Sequence, residues 1–105
     1  MILTDIYDLM QIIDGCKSAE ETAGVLDEYG EDCDAGTARR VFDAKGKRRS
    51  FEISENSATL GDRQISCPHC KTSSPDKLIG SSAELLSGAA EVHFGCCECG
   101  TQFTL

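Results

Sequence analysis

Apolar residues along the first thirty positions recur at helical spacing. Ile6, Leu9, Met10 and Ile13 fall at i, i+3, i+4 and i+7 and would line one face of a helix. Thr4 can cap that helix, Asp5 and Asp8 suit its first turns, and Gly15 ends it. Ser18-Ala19-Glu20-Glu21 has capping-box spacing, Thr22, Val25, Leu26 and Tyr29 repeat the stripe, and Gly30 supplies a stop. The pattern predicts a helical hairpin over 4–30. From Thr37 the reading becomes extended. Arg39-Arg40-Val41-Phe42, a turn through Gly46, and Arg48-Arg49-Ser50-Phe51-Glu52-Ile53 predict a β-hairpin with a basic tip. Asn56-Ser57 and Gly61-Asp62 mark turns around Ala58-Thr59-Leu60. Further on, Lys77-Leu78-Ile79, Val92-His93-Phe94 and the alternating Thr101–Leu105 are strand candidates, with one helical turn allowed at 83–86.

The fold class expected is therefore α+β. An acidic helical hairpin (1–36), a basic β-hairpin (37–66) and a cysteine-bearing unit (67–105) form one compact body, and the last strands are free to extend the hairpin's sheet. At 105 residues the chain can bury only about 60–70% of its unfolded surface, so the core is modest.

Charge sharpens this division. The chain carries a net −8, which argues against a general nucleic-acid coat or a membrane-surface protein. The distribution is uneven: ten acids and one base in 1–36, seven bases against four acids in 37–66. The bases Arg39, Arg40, Lys45, Lys47, Arg48 and Arg49 can track a phosphate backbone, or can simply offset the acidic helices and keep sheet edges soluble. Asp14, Glu20, Glu21, Asp27, Glu28, Glu31 and Asp32 offer either a solvated face or an acidic docking face.

Chemistry concentrates at the end of the chain. Cys67-Pro68-His69-Cys70 and Cys96-Cys97-Glu98-Cys99 are two C-x-x-C knuckles with 25 residues between them. Each can present two thiolates from a tight turn, and together they supply the four corners that one structural Zn²⁺ requires. The predicted ligands are Cys67, Cys70, Cys96 and Cys99. Cys97 breaks the knuckle spacing and reads as a spare thiol. His69 and His93 are the alternative donors, since imidazole also suits zinc. Cys16 and Cys33 lack C-x-x-C partners and read as small buried or half-buried thiols. With no export signal visible in Met1–Asp5, seven cysteines are expected to be reduced, in a cytoplasm, and no apolar stretch approaches membrane-spanning length.

The order knuckle, strand, excursion, strand, knuckle, strand resembles the zinc ribbons of transcription proteins, carried by Cys67-Pro68-His69-Cys70, Cys96–Gly100 and the closing Phe103. The knuckle separation is similar to that of transcript-cleavage elongation factors. The acidic pair those proteins carry before the second knuckle is replaced here by Ser87-Gly88. The C-P-x-C opening is also similar to Ogr/Delta-type phage activators, although their second cysteine pair is spaced more widely. The resemblance covers residues 65–105. It implies a small non-catalytic regulator docking on RNA polymerase or a similar nucleic-acid machine. Direct nucleic-acid binding is the alternative. A third reading, thiol-disulfide exchange at CPHC, needs a helix directly after Cys70, and Lys71–Pro75 has no helical pattern.

Overall fold

The computed structural model describes residues 1–30 and 35–105. The fold is α+β. Three helices come first, α1 (Leu3–Asp14), α2 (Ala19–Glu28) and α3 (Ala35–Asp43). Strands β1 (Phe51–Ile53), β2 (Ala58–Leu60) and β3 (Arg63–Gln64) follow. Strand β4 (Leu78–Gly80), helix α4 (Ser82–Ser87), β5 (His93–Cys96) and β6 (Gln102–Thr104) complete the chain. The strands make two separate antiparallel sheets, β1-β2-β3 and β4-β5-β6. The cysteine-bearing strands thus do not extend the hairpin's sheet; helix α1 lies between the two, touching both β1 and β4.

The predicted stripe of α1 is the centre of the core. Leu3, Ile6, Leu9 and Ile13 are fully buried and Met10 nearly so. Truncating any of these large aliphatics to Ala would cost about 2–5 kcal/mol. The helix begins one residue before the expected cap. Ile2 holds the N-cap position in extended conformation without a side-chain cap, because it bridges antiparallel to Ile79 and the Met1 carbonyl accepts from the Gly80 amide at 3.0 Å. Sheet pairing there replaces a Thr4 cap. Gly80 is the residue that permits this closeness: a Cβ on it would lie 3.1 Å from both Leu3 Cδ2 and Phe94 Cδ1.

Helix α2 is capped as its sequence predicts. Ser18 Oγ accepts from the Glu21 amide at 3.2 Å, and the Glu21 carboxylate accepts from the Lys17 amide. Thr22 is fully buried with its hydroxyl donating to Ser18 O, Leu26 is buried, and Tyr29 stays exposed.

Residues 35–43 correct the reading of 37–66. They form a helix, not the first strand of a hairpin, because Ala38 and Val41, three apart, both bury against neighbouring helices. Helix α3 packs on α2 and α4. The hairpin that exists is β1–β2, paired Phe51↔Leu60 to Ile53↔Ala58, and its tip is Ser54–Ser57 instead of a basic turn. Arg39 and Arg40 therefore stand on a helix, and Lys45 to Arg49 in the link from α3 to β1.

In the second sheet β4 pairs with β5 and β5 with β6, Phe94 opposite Phe103 with stacked rings 5.5 Å apart. The expected helical turn between β4 and β5 is α4. Ser81 Oγ accepts from the Glu84 amide, and the Glu84 carboxylate accepts from the His93 amide at 2.7 Å and meets His93 Nδ1 at 2.7 Å. A capping acid thus clasps the helix to the next strand. These contacts, the His93 amide first, hold the Glu84 carboxyl below its usual range.

Candidate metal centre

Both knuckles are built by one backbone device. In the first, the Cys67 amide donates to Thr72 O at 2.9 Å and the Lys71 amide to Cys67 O at 3.0 Å. In the second, the Cys96 amide donates to Thr101 O at 2.9 Å and the Gly100 amide to Cys96 O at 2.9 Å. The residue after the second cysteine of each pair turns left-handed, Lys71 at φ 66° and Gly100 at φ 75°. Glycine occupies that conformation without penalty, whereas a lysine pays for its Cβ. The Cys70 amide lies 3.5 Å from Cys67 Sγ, pointing a backbone dipole at the sulfur.

Each knuckle is carried by a strand. Ile65 continues the pairing of β3 through its amide to Ala58 O, which delivers Cys67 two residues later. Cys96 is the last residue of β5, opposite Leu78. The four sulfurs of Cys67, Cys70, Cys96 and Cys99 all lie within 4.8 Å of one another, with Cys67–Cys99 and Cys70–Cys96 at 3.5 Å. A tetrahedral site with metal–sulfur bonds of about 2.3 Å has sulfur–sulfur edges of about 3.8 Å. The group therefore already has the size of a four-thiolate cage and can bind a metal ion. Cys67 and Cys96 sit on its buried side; Cys70 and Cys99 are exposed.

Without an ion, the thiols share charge unequally. The Thr101 hydroxyl, 3.2 Å from the sulfur, and the Thr101 amide draw Cys99 down to about 5. The Thr72 amide also favours the Cys70 thiolate, but burial and the three neighbouring sulfurs outweigh it and push that thiol up to about 12. Burial raises Cys67, yet the Cys70 and His69 amides prevail and its net shift is downward. A dication removes this conflict by letting all four deprotonate.

The remaining sulfur and imidazole groups stand apart. Cys97 is exposed, its amide bonded to Lys77 O, so it lies beside the cage as the spare thiol. His69 is exposed and outside the sulfur group, and His93 is engaged by Glu84. Cys16 is buried, its thiol near Ile12 O, while Cys33 falls outside the described residues. Lys77 and Glu98 form an ion pair at 2.8 Å that ties the approach to β4 to the second knuckle. No helix follows Cys70; residues 71–75 are irregular.

Five of the six bases have partners within the chain. Arg48 has only 6% of its side chain exposed and pairs with Asp14. Lys45 donates to Cys16 O and lies over the Phe42 ring, and Arg49 donates to Ala90 O and Leu105 O. Arg39 pairs with Asp43 and Arg40 bonds the Thr37 hydroxyl, leaving Lys47 exposed in the link. Sequence reasoning missed Arg48's internal role, whose only trace was the acid Asp14 at the end of an otherwise cation-free helix. Of the acidic set, Glu20, Glu21, Asp27 and Glu28 are exposed; Glu31 and Asp32 lie outside the described residues.

No protein-family model matches the chain, and comparison with curated proteins and with solved structures finds no match.

Proposed function

We propose that this is a non-catalytic zinc protein whose C-terminal ribbon is a structural Cys₄ site, and that it serves as an adaptor on a nucleic-acid machine. The observation that carries the metal reading is the sulfur group itself, four donors at tetrahedral size on two matching turns. Four soft thiolates select zinc or iron among common ions, and a filled sphere leaves no position for water, which suits structure over catalysis. Metal analysis of the purified protein with a thiol count separates zinc from iron.

The adaptor reading has two supports. One is the resemblance of the knuckles and Phe103 to ribbons of transcription proteins, which is analogy. The other is charge: the bases are largely engaged in internal bonds, while Glu20, Glu21, Asp27 and Glu28 stay in solvent. That favours a protein partner such as RNA polymerase over direct contact with nucleic acid. Pull-down of the metal-loaded chain from host lysate, with and without nuclease, tests it. Partners that survive nuclease support an adaptor; partners lost with nuclease, or none, overturn it.

A further inference from the structure

Two three-stranded sheets leave four edge strands, and three of them are blocked. Edge β4 is covered by Met1 and Ile2 through the Ile2↔Ile79 bridge. Edge β1 carries a charge at its centre, Glu52, and Arg48-Arg49 just before it. Edge β3 is only two residues long and one is Arg63. Short length, charge and a covering segment are the usual devices that keep a sheet from adding strands. Edge β6 spans three residues and has Arg49 at its end, bonded to Leu105 O, but among the described residues no segment pairs with it. Thr101-Gln102-Phe103-Thr104-Leu105 contains no charge and no proline, and Gln102 and Thr104 are exposed.

The register fixes what this edge offers. Val92 and Leu105 exchange both backbone bonds, and the Cys96 amide donates to Thr101 O. Residues 101 and 105 therefore point their backbone groups at β5, and by alternation so does 103. The amides and carbonyls of Gln102 and Thr104 point the other way, away from the sheet. Such an edge is complementary to itself. Laid antiparallel about Phe103, the Gln102 of one copy and the Thr104 of the other exchange both bonds, twice over, and the two Phe103 rings meet at the close, non-bonded position between them. Phe103 is half-buried and stacked on Phe94, so a second ring would cover its free side and continue the aromatic row. The acid-rich helix α1 packs on β4, at the far edge of the same sheet, which keeps its charge away from the join.

We infer that β6 pairs with β6 of a second copy of this chain, joining two ribbons into one six-stranded antiparallel sheet. The join leaves both sulfur groups free of the interface bonds and does not depend on the adaptor reading.

Sedimentation of the metal-loaded full chain over a concentration series tests it, alongside Thr104→Pro and Gln102→Lys. The proline removes an outward donor without touching a β5 bond, and the lysine installs the missing guard charge. The expected result is a mass rising to twice the 11.3 kDa of one chain, held at one chain in both variants with metal content and circular dichroism unchanged. Isotope-filtered contacts between Phe103 rings of differently labelled copies should accompany the dimer. A wild-type mass that stays at one chain to the top of the series overturns the inference, as does a dimer that survives both substitutions.

Discussion

Arg48 allows the packing of the helices to be tested with one substitution. Its guanidinium reaches the Asp14 carboxylate, lies 3.3 Å from Met10 Sδ and donates to Leu86 O at 3.5 Å. Those partners belong to the last turns of α1 and α4, and neither helix has a basic residue of its own there. One cation thus serves two helix ends, each worth about 0.3–1 kcal/mol. The bond to Asp14 adds about 1–2 kcal/mol, at the low end for a charged pair because Asp14 is 50% exposed. Arg48→Met keeps an apolar stem of similar length and removes the charge, so the expected loss is about 2–4 kcal/mol. Against a domain stability of about 5–15 kcal/mol that is a large fraction. Urea unfolding of the metal-loaded protein, followed by far-ultraviolet circular dichroism, should show a lower midpoint with an unchanged slope. Asp14→Asn should lose less, and the double mutant should fall short of the sum because the two share a bond. A loss below about 0.5 kcal/mol, the range of ordinary surface substitutions, would refute the clasp. So would unchanged stability with weakened binding to nucleic acid, since that would put the guanidinium on the outside.

Replacing Cys67 or Cys99 with Ser should abolish stoichiometric metal binding and unfold the last third, whereas Cys97→Ser should leave both intact; equal damage from all three in a metal titration would contradict the ligand set. Gly100→Ala meets no atom within 4 Å, so its penalty is conformational alone and should be about 1 kcal/mol. Lys71→Gly at the matching position should have the opposite sign and raise the melting temperature; a lower one would mean the lysine side chain earns its place. Glu84 has a folded pKa below its unfolded one, so its contribution is present above the unfolded value, near 4.5, and fades as pH falls through the folded value. Glu84→Gln should therefore destabilise at neutral pH and flatten the acid limb of a pH–stability curve; an unchanged limb would assign acid sensitivity elsewhere.

The site was the most legible part of the chain, because two short spacings and a sulfur count determine a tetrahedral group almost without help from the rest of the fold. The stripes of α1 and α2 were legible for a similar reason, as periodicity survives in a linear string. Helix α3 was not. Only Ala38 and Val41 bury, Arg39-Arg40 interrupts them, and what makes the segment helical is its neighbours α2 and α4. The start of α1 was missed on the same ground, since Ile2 answers to Ile79, distant in sequence, instead of to the residues beside it. Arg48 looked like one more member of a basic cluster because its burial depends on contacts to Met10, Asp14 and Leu86 that no local window contains.

The bridge between Ile2 and Ile79 also sets an order in time. Met1 and Ile2 complete a sheet whose other strands lie more than 75 residues further along, so α1 cannot finish docking until those strands have been made. A nascent chain halted before β4 would keep Leu3 and Ile6 without their partner sheet, and would hold two of the four sulfurs at most. Metal capture and the pairing of Ile2 are thereby both postponed until residues 78–99 have been made.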